Sequence, residues 1–333
     1  MPVRILNGAE VSRLLDMATC IDGMRKVLMA LGRGQAIQPL RTVLRLPRER
    51  GAFAVMPAQV DDPDAFGLKV ITVFPGNEGT RYDSHQGAVL LFEPAHGTLV
   101  AVMDAASMTA IRTAAVSGVA TDALARPDAA DLAILGTGVQ ARTHLEAMRV
   151  VRPIRQVRVW SRDSNHRREF ADWARKRFGL DVKTADTAQA AVTGADLICT
   201  VTSSRTPVLM GSWIRPGAHL NAVGSSLAAA RELDTDAVRR ARLFVDRRES
   251  ALNEAGDFLI PRAEGAVDDS HILGELGDLL LDRVKGRERP EDVTLFKSLG
   301  LAVEDVAGAH LVWREAESRN VGTVIELGGL RDA

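Results

Sequence analysis

The sequence has little cysteine: Cys20 and Cys199 are the only two in 333 residues. A pair so far apart cannot build a disulfide framework, and no Cys/His cluster shows metal-ligand spacing, so no metal is expected. Cys199 lies in the apolar run Asp196-Leu-Ile-Cys-Thr-Val, which suits a small buried thiol. An excess of one charge is missing too. The formal net charge is -1, which excludes a global field for nucleic acid or anionic lipid. Basic pairs such as Arg239-Arg240 and Arg247-Arg248 alternate with acids and read as a solvated face. No stretch approaches the roughly 18 uninterrupted apolar residues of a membrane span. The start, Met1-Pro-Val-Arg-Ile-Leu-Asn-Gly, has no apolar core of signal-peptide length. The expectation is a cytoplasmic, reduced chain with no membrane or nucleic-acid partner, and without internal repeats or low-complexity tracts.

What is present is an ordinary globular composition, 46% hydrophobic and 26% charged, at a length that suits two domains. Apolar residues recur at three and four from Glu10 to Leu31, predicting an amphipathic helix. After Pro39 come β-rich runs: Thr42-Val-Leu-Arg-Leu, Ala52-Phe-Ala-Val-Met, Leu68-Lys-Val-Ile-Thr-Val-Phe and Ala88-Val-Leu-Leu-Phe-Glu. Glu93-Pro-Ala-His-Gly predicts a hairpin turn into Thr98-Leu-Val-Ala-Val-Met. Ser107 to Ala125 reads as a long Ala-rich helix. From Asp131 strands alternate with helices (Asp131-Leu-Ala-Ile-Leu, Val157-Arg-Val-Trp, Leu197-Ile-Cys-Thr-Val, His219-Leu-Asn-Ala-Val, Leu243-Phe-Val-Asp), the rhythm of a parallel sheet covered on both faces. Residues Thr294 to Arg319 return to helical character.

Gly136-Thr-Gly138-Val-Gln-Ala141 follows the first strand of that rhythm and opens a helix, matching G-x-G-x-x-A. Glycine is needed there because a tight turn must bring bare N–H groups up to a pyrophosphate at a helix N-terminus. A lone glycine motif is also compatible with a plain tight turn; the strand before and the helix after favour the dinucleotide. The second strand ends in Trp160-Ser161-Arg162-Asp163. Ser161 takes the place of an NAD-type acid and Arg162 suits a 2′-phosphate, favouring NADPH over NADH. Asp163 keeps NADH open, since a shifted turn makes it the missing acid.

Further segments carry a resemblance. They are Gln38-Pro-Leu-Arg41-Thr-Val, Val55-Met-Pro, Lys69-Val-Ile-Thr-Val, Ser84-His-Gln-Gly-Ala-Val-Leu-Leu-Phe-Glu-Pro and Thr109-Ala-Ile-Arg112-Thr-Ala-Ala. After the glycine loop come Gly217-Ala-His-Leu-Asn-Ala-Val-Gly224, Arg231-Glu-Leu-Asp234 and Phe296-Lys-Ser-Leu-Gly-Leu-Ala-Val-Glu-Asp305. In this order, over nearly the whole chain, they resemble the ornithine cyclodeaminase and mu-crystallin family. The resemblance implies an α/β protein of two domains. One, 1–118 plus 308–333, is an α+β substrate-binding and dimerisation domain completed by the C-terminus. The other, 119–307, is a Rossmann-type doubly wound parallel sheet. A homodimer is implied.

By position, the resemblance makes Arg41 and Lys69 the grip on a substrate carboxylate, and Arg112 the arginine beside cofactor phosphates and reacting centre. Independently of it, a planar guanidinium binds a carboxylate bidentately, and Lys69 is unusual in lying inside an apolar run. As residue types both are equally at home in surface ion pairs, and Arg45 competes with Arg41. Lys69 is the first candidate proton donor. Beside Gly136, Gly138, Ser161 and Arg162, read from the glycine loop and the second strand end, the cofactor contacts expected are Ser84, Arg112, Thr113, Val139, Gln140, Thr202, Val223, Gly224 and Ser298. Thr202 is as readily a strand-end hydroxyl. Substrate contacts are Arg41, Lys69, His85, Ser226 and Leu299, with His85 equally at home as a structural histidine.

One departure bears on activity. Cyclodeaminases of the family carry an aspartate in a Gly-x-Asp-x-Pro-Gly pattern, where this chain has Gly224-Ser225-Ser226-Leu-Ala-Ala. Cyclodeamination moves protons repeatedly, which suits a carboxylate better than a hydroxyl; ketimine reduction needs orientation and one hydride. The expected activity is NAD(P)H-dependent reduction of cyclic or acyclic ketimines of 2-oxo acids. The alternatives are an alanine-dehydrogenase-like enzyme, an ornithine or lysine cyclodeaminase, and a non-catalytic, cofactor-loaded crystallin-like protein.

Overall fold

The computed structural model describes residues 1–77 and 79–329. It divides into two compact units, Met1–Arg112 with Leu301–Ala333, and Thr113–Gly300.

The first unit is built on an eight-stranded mixed sheet. In spatial order its strands are Thr323–Glu326, Pro2–Leu6, Leu99–Asp104, His85–Phe92, Asp64–Val73, Ala52–Asp61 and Ala36–Ile37, with Thr42–Arg45 also paired to Ala52–Asp61. Asp64–Val73 shows the two-residue alternation of a strand with one covered face: Ala65, Gly67, Lys69 and Ile71 are buried, and the residues between them less so. The helix Ala302–Arg319 packs on this part of the sheet and against the helix Met17–Gly32. Small residues permit close approach: a Cβ on Gly23 would lie 2.6 Å from Leu311 Cδ1, and one on Gly308 2.7 Å from Met108 Sδ.

The single helix expected over Glu10 to Leu31 is two, Gly8–Leu14 and Met17–Gly32. Leu15 leaves helical geometry, and Asp16 restarts the chain by accepting a hydrogen bond from Thr19 N at 3.0 Å. The hairpin after Glu93 forms as expected, with Gly97 at φ 72° and the Glu93 carboxylate accepting from Ala95 N and Thr98 N at 2.7 and 3.1 Å.

The second unit is a wholly parallel eight-stranded sheet. Its order is Val182–Thr184, Gln156–Trp160, Asp131–Leu135, Leu197–Thr200, His219–Ala222, Val293–Lys297, Ala241–Val245 and Ile272–Glu275. Chain order reverses between Asp131–Leu135 and Leu197–Thr200, the switch point at which doubly wound sheets take their ligands. Central strands are buried on both faces and therefore read as continuous apolar runs. For that reason Thr294 to Lys297, expected as the start of a long helix, is a fully buried strand, and the helix begins only at Ala302. Among the described residues no helix is long and apolar enough to cross a membrane.

At the carboxyl ends of these strands lies a buried polar knot. Lys297, 1% exposed, pairs with Asp257 at 3.0 Å and donates to the carbonyls of Ala222 and Ser225 at 3.2 and 2.5 Å. The other Asp257 oxygen accepts from Glu232 N and Leu233 N. Removing one member of such a pair strands the other charge. Asp257→Ala is expected to lower the unfolding free energy by about 3–5 kcal/mol, read from guanidinium denaturation. A loss below about 1 kcal/mol would show Lys297 relieved by water.

Candidate functional site

In the first unit four buried ionic side chains come from three segments. Lys69 points from the covered face of Asp64–Val73, opposite Met56 and Val89 in the register of its neighbours. Its Nζ lies 2.7 Å from Asp305 Oδ2 and 3.4 Å from Thr109 Oγ1. Arg112, one helical turn beyond Thr109, reaches Asp305 Oδ1 with Nε at 3.0 Å and Glu304 Oε2 with Nη1 at 2.7 Å. Glu304 also accepts from Leu301 N at 3.2 Å, as the far half of a capping box. Both acids sit in the first turn of Ala302–Arg319, where the helix dipole favours negative charge.

The electrostatics follow from burial. Desolvation pushes the Lys69 ammonium down to about 8, with Asp305 resisting and the charges of Arg112 and Arg41 adding to the fall. Burial pushes the Asp305 carboxyl up, but Arg112 and Lys69 outweigh it and hold it below its ordinary range. His85 begins the neighbouring strand, its Nδ1 3.0 Å from Ser84 Oγ. Partial screening from water and then the Lys69 charge lower its basicity, with Asp83 opposing. The structure thus gathers Lys69, Arg112 and Arg41 into one electrostatic neighbourhood with His85 at its edge. Arg45 stands on an exposed strand.

In the second unit Gly136 has φ 120°, a conformation closed to most L-residues, and a Cβ there would lie 2.7 Å from Val201 O. Gly138 caps the helix Val139–Val151 without a side-chain hydrogen bond, and the space where its Cβ would stand is open. A helix start without a side-chain cap, beside open space, fits a pyrophosphate. Val139 is 65% exposed at this turn, while Ala141 is buried. At the next strand end the Ser161 hydroxyl donates to Asp163 O at 3.0 Å. The Asp163 carboxylate caps the following helix through Asn165 N and His166 N at 2.6 and 3.3 Å. Arg162 is exposed.

Thr202 is held at its strand end, its N and Oγ1 donating to Glu232 Oε1 at 2.6 and 2.7 Å. The other oxygen of Glu232 accepts from Thr200 Oγ1 at 2.8 Å and Gly224 N at 2.7 Å. Gly224 is tightly placed: a Cβ would fall 2.1 Å from Thr202 O. Val223 and Gly224 follow directly on the strand His219–Ala222. Ser226 is exposed on the ensuing loop, whereas Ser225 is buried and donates to Ala230 O at 2.5 Å. Ser298 and Leu299 are buried after the strand Val293–Lys297, and Asp246 holds Leu299 N at 2.5 Å. Thr113 is buried on the helix Ala105–Leu124, and Gln140 O lies 2.7 Å from His144 Nδ1. Among the described residues no group of three or more His, Cys, Asp or Glu side chains could hold a metal ion.

Sequence reasoning missed the acids. Glu304 and Asp305 closed a quoted segment without a role, and Glu232, Asp246 and Asp257 were not singled out. The available signal was two adjacent acids opening an otherwise Ala- and Val-rich helix.

Comparison with known proteins bears on both halves. The model of the "Ornithine cyclodeaminase/mu-crystallin family" matches residues 3–320. The ketimine reductase mu-crystallin of Mus musculus is 44% identical over 280 residues, covering 84% of this chain and 85% of that protein. The Δ1-pyrroline-2-carboxylate reductase of Thermococcus litoralis, solved with NADH and L-proline, superposes with a TM-score of 0.94 at 38% identity, over 96% of this chain and 99% of the other. An archaeal alanine dehydrogenase dimer with bound NAD gives 0.93 at 30% identity, over 98% of this chain and 100% of the other. This chain belongs to the ornithine cyclodeaminase/mu-crystallin family.

Proposed function

We propose that this protein reduces the C=N bond of imino acids derived from 2-oxo acids, using NAD(P)H. The observation that carries the reading is the buried group of Lys69, Arg112, Glu304 and Asp305, with the Arg41 charge acting on it. It is a cationic receptor for a carboxylate, and such a receptor orients the adjacent electrophilic carbon. Relatives that reduce ketimines and Δ1-pyrroline-2-carboxylate support the assignment. Arg41 binds the carboxylate through its planar fork and Lys69 through the ammonium hydrogens not engaged by Asp305. His85, held below its ordinary basicity, offers a neutral hydrogen-bonding ring at pH 7. The glycine loop and the helix start at Val139 hold the pyrophosphate. Bound NAD(P)H supplies the hydride. Ser226 lacks the carboxylate that repeated proton transfer in a cyclodeaminase calls for, which supports the reductase reading.

NADPH is the favoured cofactor: Asp163 is engaged as a helix cap, and Arg162 is exposed at the ribose end of the loop. The reading includes a cytoplasmic homodimer formed by the unit that holds Lys69. It is supported by the apolar side chains of Ile37, Val43 and Leu44, 68, 44 and 60% exposed at that sheet's edge. The dimeric archaeal relative points the same way.

The deciding assay follows absorbance loss of NADPH, then NADH, with piperideine-2-carboxylate, and in parallel with pyruvate plus ammonium or methylamine. Oxidation with the cyclic imine is expected. Turnover only with the amine mixtures would shift the substrate to acyclic imines, and ammonia release from ornithine with no net cofactor change would replace the reading with cyclodeamination. Arg41→Ala should raise KM about 30- to 100-fold, the loss of one charge-assisted pair; unchanged efficiency removes the clamp. Arg162→Ala should cut the preference for NADPH over NADH about 10- to 100-fold, measured as the ratio of their kcat/KM values. Light scattering should give twice the 35.9 kDa of the chain.

A further inference from the structure

Among the described residues Lys69 has one anionic neighbour at ion-pairing distance, and that neighbour is shared. Asp305 turns one oxygen to Lys69 at 2.7 Å and the other to Arg112 at 3.0 Å. The groups facing Lys69 can be named element by element. The strand Ala52–Asp61 brings Met56 opposite it; the strand His85–Phe92 brings Val89, with His85 at its start. The helix Ala105–Leu124 brings Thr109 and Arg112, and the helix Ala302–Arg319 brings Asp305. Arg41 adds its charge from just before the strand Thr42–Arg45. Glu304, although adjacent to Asp305, is turned to Arg112 and to its own helix start. Lys69 therefore feels two arginines and a weakened histidine, and among the described residues it pairs with one carboxylate.

We propose that Asp305 is the positioning residue of this site: its carboxylate, divided between Lys69 and Arg112, aims the Lys69 ammonium and decides how readily Lys69 gives up its proton. The inference deepens the reductase reading and rests on it for its purpose. A lysine on a flexible stem has three donors and no fixed direction. Asp305 pairs with the ammonium at 2.7 Å and Thr109 accepts from it at 3.4 Å, which leaves donor capacity for an incoming carboxylate. Because Asp305 also serves Arg112, it compensates Lys69 only in part, and the lysine stays poised between an anchored cation and a proton donor. A private partner would hold it charged throughout the working range; no partner would leave it neutral.

The test needs no turnover. The chain has six lysines, so 13Cε-lysine labelling gives few signals, and Lys69→Arg assigns the one of interest. In the wild type the Lys69 signal should titrate near 8. Asp305→Asn should move that midpoint down by about one pH unit or more. Glu304→Gln, which disturbs the same helix start, should leave it nearly in place. The affinity of the NADPH-loaded protein for a carboxylate that cannot be reduced should follow the same midpoint, declining above it in the wild type and at lower pH in Asp305→Asn. An unmoved midpoint in Asp305→Asn, or an equal displacement in Glu304→Gln, overturns the proposal. If Asp305→Asn does not fold, thermal unfolding of Lys69→Met/Asp305→Asn decides. The double variant should recover stability over Asp305→Asn, because no ammonium is left stranded; no recovery overturns the proposal. A protein that reduces no imine yet titrates as described would sink the reductase reading alone.

Discussion

A lysine and an arginine buried at 3% exposure each must be offset by anions or be expelled from the interior. The first unit meets that demand with the opening turn of Ala302–Arg319, whose Glu304 and Asp305 are themselves fully buried. The pairing is reciprocal. Without the cations, two adjacent carboxylates would sit dry beside the sheet; without the carboxylates, two cations would. Ion pairs of this kind contribute little net stability over apolar packing, but breaking one is costly. They act here as a lock on register. Lys69 meets Asp305 only if the strand Asp64–Val73 keeps its alternation, since a one-residue slip would turn Lys69 to the other face.

The second unit fixes its strand ends by the same means. Glu232 gathers Thr200, Thr202 and Gly224 on one carboxylate, and Asp257 in turn holds the backbone of Glu232 and the ammonium of Lys297. Burial and the nearby Asp257 charge push the Glu232 carboxyl up. The loops leaving a parallel sheet would otherwise be its most mobile part. Tying them to buried acids holds the strand ends beside the turn at Gly136 to Gly138, whose first N–H is itself engaged by Trp160 O at 2.8 Å.

How much of this was legible depended on whether the signal was local. The glycine loop announced itself because its conformation is written in adjacent residues, and Lys69 because a charge interrupts an apolar run. Arg112 was reached by position, and its partners lie 192 and 193 residues away, a distance that periodicity does not bridge. Glu304 and Asp305 open a helix, where acids are commonplace, so their second role was hidden behind an ordinary one. Thr294 to Lys297 reads as helix because a strand buried on both faces has no alternation to betray it. At Asp163 the carboxylate caps a helix, a contact that no count of residues along the turn reveals.

Lys69 and Asp305 act on stability in opposite senses. A folded-state value lowered to about 8, against an ordinary 10.5, means that the charged lysine works against the fold below 8, an effect that fades as pH rises from 8 to 10.5. Asp305 behaves in the opposite sense: its lowered carboxyl stabilises the fold at neutral pH, and that contribution is lost as pH falls through the acid range. At neutral pH, therefore, the unit carries a strained cation held by a favourable anion. A bound carboxylate would relieve that strain, since a second negative charge beside Lys69 raises its affinity for the proton. Ligand binding and protonation would then reinforce each other, and the folding free energy withheld at Lys69 would reappear as affinity for an anion.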